Sequence, residues 1–306
     1  MLSQRPFECP SALLARAKAL PPVATAIANA GAALPMESAR MACEAEIIEP
    51  LLVGDTNAIA AEAERMGWNI SGLRIVPAAS ESEAADAAAA LCRDGAARVL
   101  MKGHLHTDAF MLGMLKRDSG LRTGRRLTHV FHMTVPGDDT VLLITDAAIN
   151  VSPDITTRIQ AAQSAVDLAH ALGIDRPKVA VLSATEEVTP KMPSSLEAAE
   201  IADRAREGLR GADIHGPLAL DLAVSPDAAA VKGIDNPVAG NADILLVPNI
   251  ETGNALFKMM VYFMSACAAG IVLGAKVPAI LTSRADPPEA RLAAAAIASI
   301  LANRSE

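Results

Sequence analysis

Short aliphatic and β-branched runs alternate with alanine-rich amphipathic stretches along most of this 306-residue chain. The first strand-like runs, at 23–28 and 48–53, flank a helical stretch at 35–46, and further runs follow at 73–76 and 98–101. Strands joined by helices of about ten to fifteen residues form βαβ units, which place helices on both faces of a mostly parallel sheet. The alternation therefore predicts an α/β protein.

The pattern is interrupted at 116–128 by a polar stretch that is rich in arginine and lysine. It restarts with two strand runs, at 130–135 and 141–145, joined by a Pro-Gly-Asp-Asp turn, which predicts a hairpin and a mixed sheet. A helix is predicted at 154–172 and another at 252–268. A chain of this length that restarts in this way predicts two α/β lobes.

Composition narrows the class of function. Asp and Glu number 35 against 27 Lys and Arg, a net charge of −8 that argues against nucleic-acid binding, which needs cations on the protein. The four cysteines form no C-x-x-C pair and predict reduced thiols in a cytoplasmic protein. The most apolar run, 259–275, is shorter than the ~20 residues of a membrane span and contains glycine and serine, so no membrane helix is predicted.

Phosphate-binding P-loop, dinucleotide-binding, serine-hydrolase and zinc-protease motifs are all absent from the sequence. Polar clusters instead follow predicted strands, where open α/β sheets bind ligands. In the sharpest one, Ser283, Arg284 and Asp286 lie between a strand and a helix that starts at a Pro-Pro pair. A hydroxyl, a guanidinium and a helix N-terminus favour an anion site. The alternative is that Ser283 and Asp286 are helix caps and Arg284 is a surface residue.

Three more clusters have the same character. Asn254 and Lys258 lie four residues apart on one helical face, and Asp146 and Asn150 follow another strand. The fourth cluster is the segment 224–227, followed by Lys232. Each alone has a structural alternative as a helix cap or turn residue. Together they favour a polar cleft between the two lobes.

The histidines do not make a metal site by spacing. His104 and His106 lie near Asp108, and His129 and His132 lie three apart, but neither pair has a third and fourth ligand at zinc-site spacing. They are interpreted as structural or surface residues, and no metal is predicted.

From about residue 23 onward the chain resembles the phosphate acetyltransferase/phosphate butyryltransferase family, the phosphotransacetylases. The matching stretches are MKG at 101–103, GLRTGR at 120–125, TDAAIN at 145–150, PKMP at 190–193, GPLALD at 216–221, NADILLVP at 241–248, ETGN at 251–254, GAKVP at 274–278 and TSRAD at 282–286. The stretches PKM and LALD are more similar to the butyryltransferase branch.

The resemblance implies reversible transfer of a short acyl group: acyl-CoA plus phosphate gives acyl phosphate plus CoA. It implies two α/β/α lobes related to the isocitrate/isopropylmalate dehydrogenase architecture, with 1–128 and 282–306 in the first lobe and 129–281 in the second. It also implies a homodimer that needs no bound metal or cofactor, with coenzyme A and phosphate as substrates.

Residue roles follow from the same resemblance. Ser283 and Arg284 bind phosphoryl oxygens or polarise the thioester carbonyl, and a carboxylate after them takes the CoA thiol proton. That base is Asp286 or Glu289, since the family's aspartate position falls at 289 or 290 here. The residues assigned to substrate binding are Arg122 and Arg125, on the CoA phosphates, together with Asp146, Asn150, Asn254 and Lys258. Arg284→Ala is predicted to lower kcat by ~10²-fold.

Two other functions are compatible with parts of the sequence. A metal- and NAD-dependent hydroxy-acid dehydrogenase of the related fold would use converging aspartates, such as Asp146, Asp221 and Asp227. A non-catalytic CoA or acyl-phosphate sensor is favoured by one departure: Met111 and Leu112 stand where relatives tend to carry an arginine. The residues leave the acyl chain open between acetyl and butyryl.

Overall fold

The computed structural model describes residues 2–138, 140–206, 208–283 and 286–304. The chain forms two compact lobes, and elements are numbered in chain order. The first lobe contains residues 8–125 and 269–304, and the second contains 2–7 and 126–268. The α/β class predicted from the alternating pattern is confirmed.

The first lobe is built on a mostly parallel sheet in the order β3-β2-β1-β4-β11-β10. Its strands are β1 (Val23–Ala28), β2 (Ile48–Gly54), β3 (Arg74–Pro77), β4 (Val99–Lys102), β10 (Cys267–Leu273), along which the chain returns from the second lobe, and β11 (Ala279–Ile280). Strands β10 and β11 pair antiparallel, whereas β1–β2, β1–β4, β2–β3 and β4–β11 are parallel pairs. Strand β1 is central and almost wholly buried, as its continuous apolar sequence predicts.

Helices cover this sheet. They are α1 (Ser11–Lys18), α2 (Ala33–Glu44), α3 (Thr56–Met66), α4 (Glu81–Arg93), α5 (Thr107–Leu115) and α11 (Pro288–Arg304), with a 3-10 turn at Arg117–Ser119. Asp55 and Ser80 cap α3 and α4 by accepting hydrogen bonds from backbone N–H groups of the first turn. Helix α11 packs against α1 and α2 and is buried along most of its length. Its buried residues are mostly alanine and isoleucine.

The second lobe has the sheet order β5-β6-β9-β7-β8. Its elements are β5 (Thr128–Thr134), β6 (Leu142–Thr145), α6 (Ile155–Ala171), β7 (Lys178–Leu182), α7 (Pro193–Ala205), β8 (Asp213–Leu218), α8 (Leu220–Val224), α9 (Pro226–Val231), β9 (Ile244–Leu246) and α10 (Ile250–Met264). Strands β5 and β6 pair antiparallel, with Phe131 opposite Ile144, so the predicted hairpin is confirmed.

The helix predicted at 252–268 is wrong at its end. Helix α10 stops at Met264, Ser265 adopts a left-handed conformation with φ of 53°, and residues 267–273 form strand β10. The Ser265 hydroxyl donates to the Arg5 carbonyl, 2.8 Å away. A contact with a segment 260 residues away fixes this end, so local periodicity does not reveal it.

The lobe boundaries also differ from the predicted ones at 128/129 and 281/282. Residues 269–281 lie in the first lobe because β11 pairs with β4, with Ile280 opposite Met101. Residues 2–7 lie in the second lobe, where the Ser3 N–H donates to the Tyr262 carbonyl.

Candidate active site

A small polar pocket lies in the first lobe at the carboxyl ends of β1, β4 and β11. Parallel sheets present ligand sites at this edge. The pocket has a volume of about 30 Å³, enough for about two water molecules. It is lined by Leu34, Pro35, Ser38, Met101, Lys102, Gly103, His104, Thr282, Ser283 and Arg291. Two cationic side chains and three hydroxyls thus surround one cavity.

Ser283 lines this pocket and is hydrogen-bonded to Asp286. The Asp286 Oδ2 atom accepts a hydrogen bond from the Ser283 N–H at 2.6 Å, and the Asp286 N–H donates to the Ser283 carbonyl at 3.2 Å. These two bonds join Ser283 and Asp286 in a closed turn. Arg284, the third predicted catalytic residue, lies outside the described residues.

Close packing of β1 against β4 shapes the opposite wall. At Gly103, a Cβ atom would lie against the Ala28 carbonyl oxygen and 2.5 Å from the Asn29 carbonyl oxygen, so only glycine fits there. Asn29 has a φ of 58°, and its side-chain amide donates to the His104 carbonyl. The glycine of the 101–103 stretch therefore lets Lys102 and His104 reach the pocket.

The sequence interpretation missed Lys102 and Arg291. Lys102 ends β4 and is half-buried, a position at the carboxyl end of a predicted strand that could have singled it out. Arg291 lies in the first turns of α11 and is only 5% exposed. Its one available signal was a charged residue within an alanine-rich helix.

In the second lobe, Asp146 and Asn150 lie together at the end of β6. Asp146 is buried and accepts hydrogen bonds from four donors, namely the N–H groups of His129, Ala148 and Ile149 and the Asn150 side-chain amide. The Asn150 amide also donates to the Leu127 carbonyl at 2.9 Å. Both predicted substrate-binding residues thus order this turn.

Asn254 and Lys258 lie on α10, whose start packs closely against the same turn. A Cβ atom at Gly253 would lie 2.7 Å from the Ala147 Cβ atom and 3.0 Å from the Asp146 carbonyl oxygen. Asn254 is half-buried beside this contact, and Lys258 is exposed one turn further along. Among the four predicted polar clusters, the segment 224–227 fits its structural alternative as a helix cap, because the Ser225 hydroxyl caps α9.

Arg122 and Arg125 are exposed on a loop of the first lobe. The loop is anchored by a bridge between Arg122 and Ala275 and by the Thr123 hydroxyl, which donates to the Gly274 carbonyl at 2.5 Å. Neither arginine lines the small pocket. The predicted common substrate site of these arginines with Ser283 and the second-lobe residues stays a prediction.

Two of the histidines have structural surroundings. The His106 Nδ1 atom lies 2.9 Å from the Glu81 carboxylate, and this contact, with the His106 N–H bond to the same carboxylate, lowers the pKa of Glu81. Burial lowers the pKa of His132 to about 4. Within the described ranges, no group of three His, Cys, Asp or Glu residues is placed to hold a metal.

A parallel α/β lobe with a hydroxyl, a carboxylate and two cations at the carboxyl edge has the groups of an enzyme for anionic substrates. The family model described as "Phosphate acetyl/butaryl transferase" matches residues 80–299. The chain therefore belongs to the phosphate acetyl/butyryl transferase family, and the resemblance found in its sequence is confirmed.

Individual relatives match over nearly the whole chain. A phosphate acetyltransferase of Rhizobium meliloti is 44% identical over 293 residues, spanning 95% of this chain and 93% of the relative. A phosphate butyryltransferase of Clostridium acetobutylicum is 38% identical over 288 residues, spanning 94% and 95%. The crystal structure of a branched-chain phosphotransacylase from Enterococcus faecalis V583 has a TM-score of 0.80 and 31% identity, covering 92% of this chain and 99% of that chain.

The fold is also shared with dehydrogenases. A 4-hydroxythreonine-4-phosphate dehydrogenase from Burkholderia phymatum matches with a TM-score of 0.53 and 14% identity, covering 92% of this chain and 98% of that chain. At this identity the likeness concerns the fold alone. In the part of the chain that the structure describes, no helix has the length and apolar character to cross a bilayer.

Proposed function

We propose that this protein transfers a short acyl group reversibly between the thiol of coenzyme A and inorganic phosphate. The observation that carries the proposal is the closed Ser283–Asp286 turn beside Lys102 and Arg291 in one pocket. The Lys102 ammonium and the Ser283 hydroxyl suit phosphoryl oxygens, and the Asp286 carboxylate suits a thiol proton. The relatives named as phosphate acetyl- and butyryltransferases support the same reaction.

In the direction of acyl phosphate synthesis, a phosphate oxygen attacks the thioester carbonyl carbon. The new C–O bond forms, the C–S bond breaks, and CoA leaves with the electron pair and then takes up a proton. Lys102, with the Ser283 hydroxyl, would hold the phosphoryl oxygens or stabilise the charge that develops on the carbonyl oxygen. Arg284 is assigned the same role by the family motif. Holding both substrates together lowers the barrier by converting a bimolecular step into a unimolecular one.

In the reverse direction a base must remove the CoA thiol proton, and we assign this to Asp286. Its carboxylate is held in the turn by the Ser283 N–H. The Glu289 carboxylate lies near a different group: burial, and secondly the charge of Glu289, raise the pKa of the Cys9 thiol to about 11. Asp286 is therefore the better candidate of the two.

The remaining residues are proposed to bind substrates. Arg122 and Arg125 are exposed cations on an anchored loop, which suits the CoA phosphates. Asn254 and Lys258 are proposed to contact substrate from α10. Asp146 and Asn150 would contribute by ordering the turn beside that helix. Coenzyme A and phosphate are substrates, and no resident cofactor or metal is proposed.

We also propose that the protein is a cytoplasmic homodimer. None of the four cysteines forms a disulfide among the described residues, as in proteins of reducing compartments. Helix α10 presents an apolar face to the exterior, which a second copy would cover.

The reaction is tested by the release of free CoA thiol from acetyl-CoA and butyryl-CoA, with and without phosphate. Release that requires phosphate, and yields an acyl phosphate trapped by hydroxylamine, is expected. The ratio of kcat/KM for the two substrates identifies the preferred acyl chain, since one methylene contributes ~1–3 kcal/mol of discrimination. Release without phosphate would contradict the proposal, because it would indicate a thioesterase.

The two alternative functions predict different results. The dehydrogenase would form NADH from a hydroxy acid and a divalent metal. The matching dehydrogenase structure from Burkholderia phymatum is 14% identical to this chain and shares only its fold, which disfavours the dehydrogenase function. The sensor would bind CoA but release no thiol under any condition.

A further inference from the structure

Arg291 is a buried cation whose hydrogen-bonding groups are only partly used. Its side chain is 5% exposed. The Nη1 atom donates to the main-chain carbonyl of Asp286 at 3.0 Å, and the Nη2 atom lies 3.8 Å from the Glu37 carboxylate. The Nε atom is buried without a hydrogen-bond partner among the described residues. Burying a guanidinium in this state costs stability, because desolvation is only partly offset.

Of these two contacts of Arg291, the one to the Asp286 carbonyl has the length of a normal hydrogen bond. The Glu37 contact, at 3.8 Å, is too long for a hydrogen bond, and the Glu37 side chain is 47% exposed, so this ion pair is weak. The carbonyl that Arg291 holds belongs to the residue whose carboxylate accepts the Ser283 N–H. Helix α11 is buried along most of its length, so through the Arg291 side chain it fixes the position of the main chain at Asp286.

We propose that Arg291 is a positioning residue for acyl transfer: it holds the main chain of Asp286 and thereby fixes the Asp286 carboxylate on the Ser283 N–H, beside the pocket that Ser283 lines. The proposal rests on the proposed function, and it assigns Arg291 no contact with substrate. Supporting contacts of this kind affect catalysis because a displacement of about 1 Å in reacting groups can cost ~10²-fold in rate.

Two other roles for Arg291 predict different kinetics. If Arg291 bound phosphate directly, its removal would raise the KM for phosphate. If it only joined α11 to α2 through Glu37, removing either partner would lower the melting temperature and leave kcat unchanged. A positioning residue instead affects kcat, with KM for both substrates within about threefold.

The test compares Arg291→Ala, Arg291→Met and Glu37→Gln with the wild type in the phosphate-dependent assay. We expect kcat to fall ~10²-fold in both Arg291 variants. Millimolar guanidinium chloride should restore part of the kcat of Arg291→Ala, since it can refill the space and donate to the Asp286 carbonyl. It should not restore Arg291→Met, whose side chain fills that space. Glu37→Gln should keep kcat within about twofold.

Arg291→Met keeps the test valid if Arg291→Ala fails to fold, because methionine fills most of the volume without a charge. A wild-type kcat in a folded Arg291→Met, or a rise in the KM for phosphate that accounts for the loss, would overturn the positioning role. Equal losses of kcat in Glu37→Gln and Arg291→Met would also overturn it. Wild-type protein without phosphate-dependent turnover would instead contradict the proposed function, so the two failures are distinguishable.

Discussion

Two carboxylates only three positions apart have different surroundings in this protein. Asp286 belongs to the turn that it closes with Ser283, whereas the charge of Glu289 acts on the Cys9 thiol. The family pattern alone places the base at 289 or 290 and leaves the choice open. The hydrogen bond of Asp286 is the observation that separates them.

We expect Asp286→Asn to lower kcat for CoA acylation by ~10²-fold or more, because an amide cannot accept the thiol proton. Glu289→Gln is the matched control and should retain most of the activity. The measurement is the initial rate of thiol consumption from acyl phosphate and CoA, with circular dichroism to verify folding. A larger loss in Glu289→Gln than in Asp286→Asn would reverse the assignment.

The buried side chain of His132 is expected to make the free energy of unfolding depend on pH. Burial lowers its pKa to about 4, against the ordinary value of 6.5. Between these pH values the unfolded chain binds a proton that the folded chain does not, so the free energy of unfolding falls as the pH drops below 6.5. The contribution is roughly 2 kcal/mol between pH 7 and pH 5.

His132→Leu should remove this part of the acid sensitivity. Urea unfolding of the wild type and the variant at pH 7 and pH 5 measures it, and the difference between the two proteins cancels the titration of the other groups. If both proteins lose the same stability on acidification, His132 does not carry the effect. The sequence shows a histidine on a predicted strand but not that the strand is buried, so this property could not be predicted from it.

At the scale of elements, most strands and helices follow from local pattern. Strand β1 lies at 23–28 as predicted, and the strand runs at 130–135 and 141–145 form the predicted hairpin. The end of α10 could not be predicted, because residues 265–270 continue an apolar run and the stop depends on the bond of Ser265 to Arg5. Arg291 was missed for a related reason: its role comes from a partner in the preceding loop.

Substitution of Gly253 tests the close contact between α10 and the turn that contains Asp146. In an exposed helix Gly→Ala stabilises by about 1 kcal/mol, but here the new Cβ atom would lie 2.7 Å from the Ala147 Cβ atom. We therefore expect Gly253→Ala to destabilise the protein by ~1–3 kcal/mol. It should also raise the KM for substrate, since Asn254 and Lys258 would shift with the helix.

Gly208→Ala is the control, because its new Cβ atom would lie at an ordinary distance of 3.7 Å from the Arg204 carbonyl oxygen. Urea unfolding and steady-state kinetics of the two variants give the comparison. A Gly253→Ala protein as stable as the wild type would show that the helix and the turn can move apart without cost.

At the scale of the whole molecule, ordered motifs identified the family where no single standard motif was present. The lobe boundaries were harder to predict than the family, because strands that pair are distant in sequence. Ile280, for example, pairs with Met101. Nothing near residues 269–281 signals that pairing, whereas the arginine-rich break at 116–128 is local and marks the first boundary to within a few residues.

The surface of α10 bears on assembly. Its inner face, with Leu256, Phe257, Met260 and Val261, packs against the core of the second lobe. Its outer face is also apolar: Met259, Tyr262, Phe263 and Met264 are each between 44% and 53% exposed. Contiguous exposed apolar side chains on a helix mark an interaction surface, and methionine and aromatic residues are enriched at interfaces. This is the observation that supports the proposed homodimer.

We expect Tyr262→Glu to convert the dimer to a monomer, because a symmetric interface would receive the charge twice. Val231→Glu is the control, since Val231 is the more exposed apolar residue, at 87%, and lies on α9. Light scattering after size exclusion, over a dilution series, measures the mass of each protein. A monomeric wild type at high concentration, or a dimer unchanged in Tyr262→Glu, would contradict an interface at α10. Because the Ser3 N–H donates to the main-chain carbonyl of Tyr262, the substitution leaves that bond in place and changes only the side chain on the outer face.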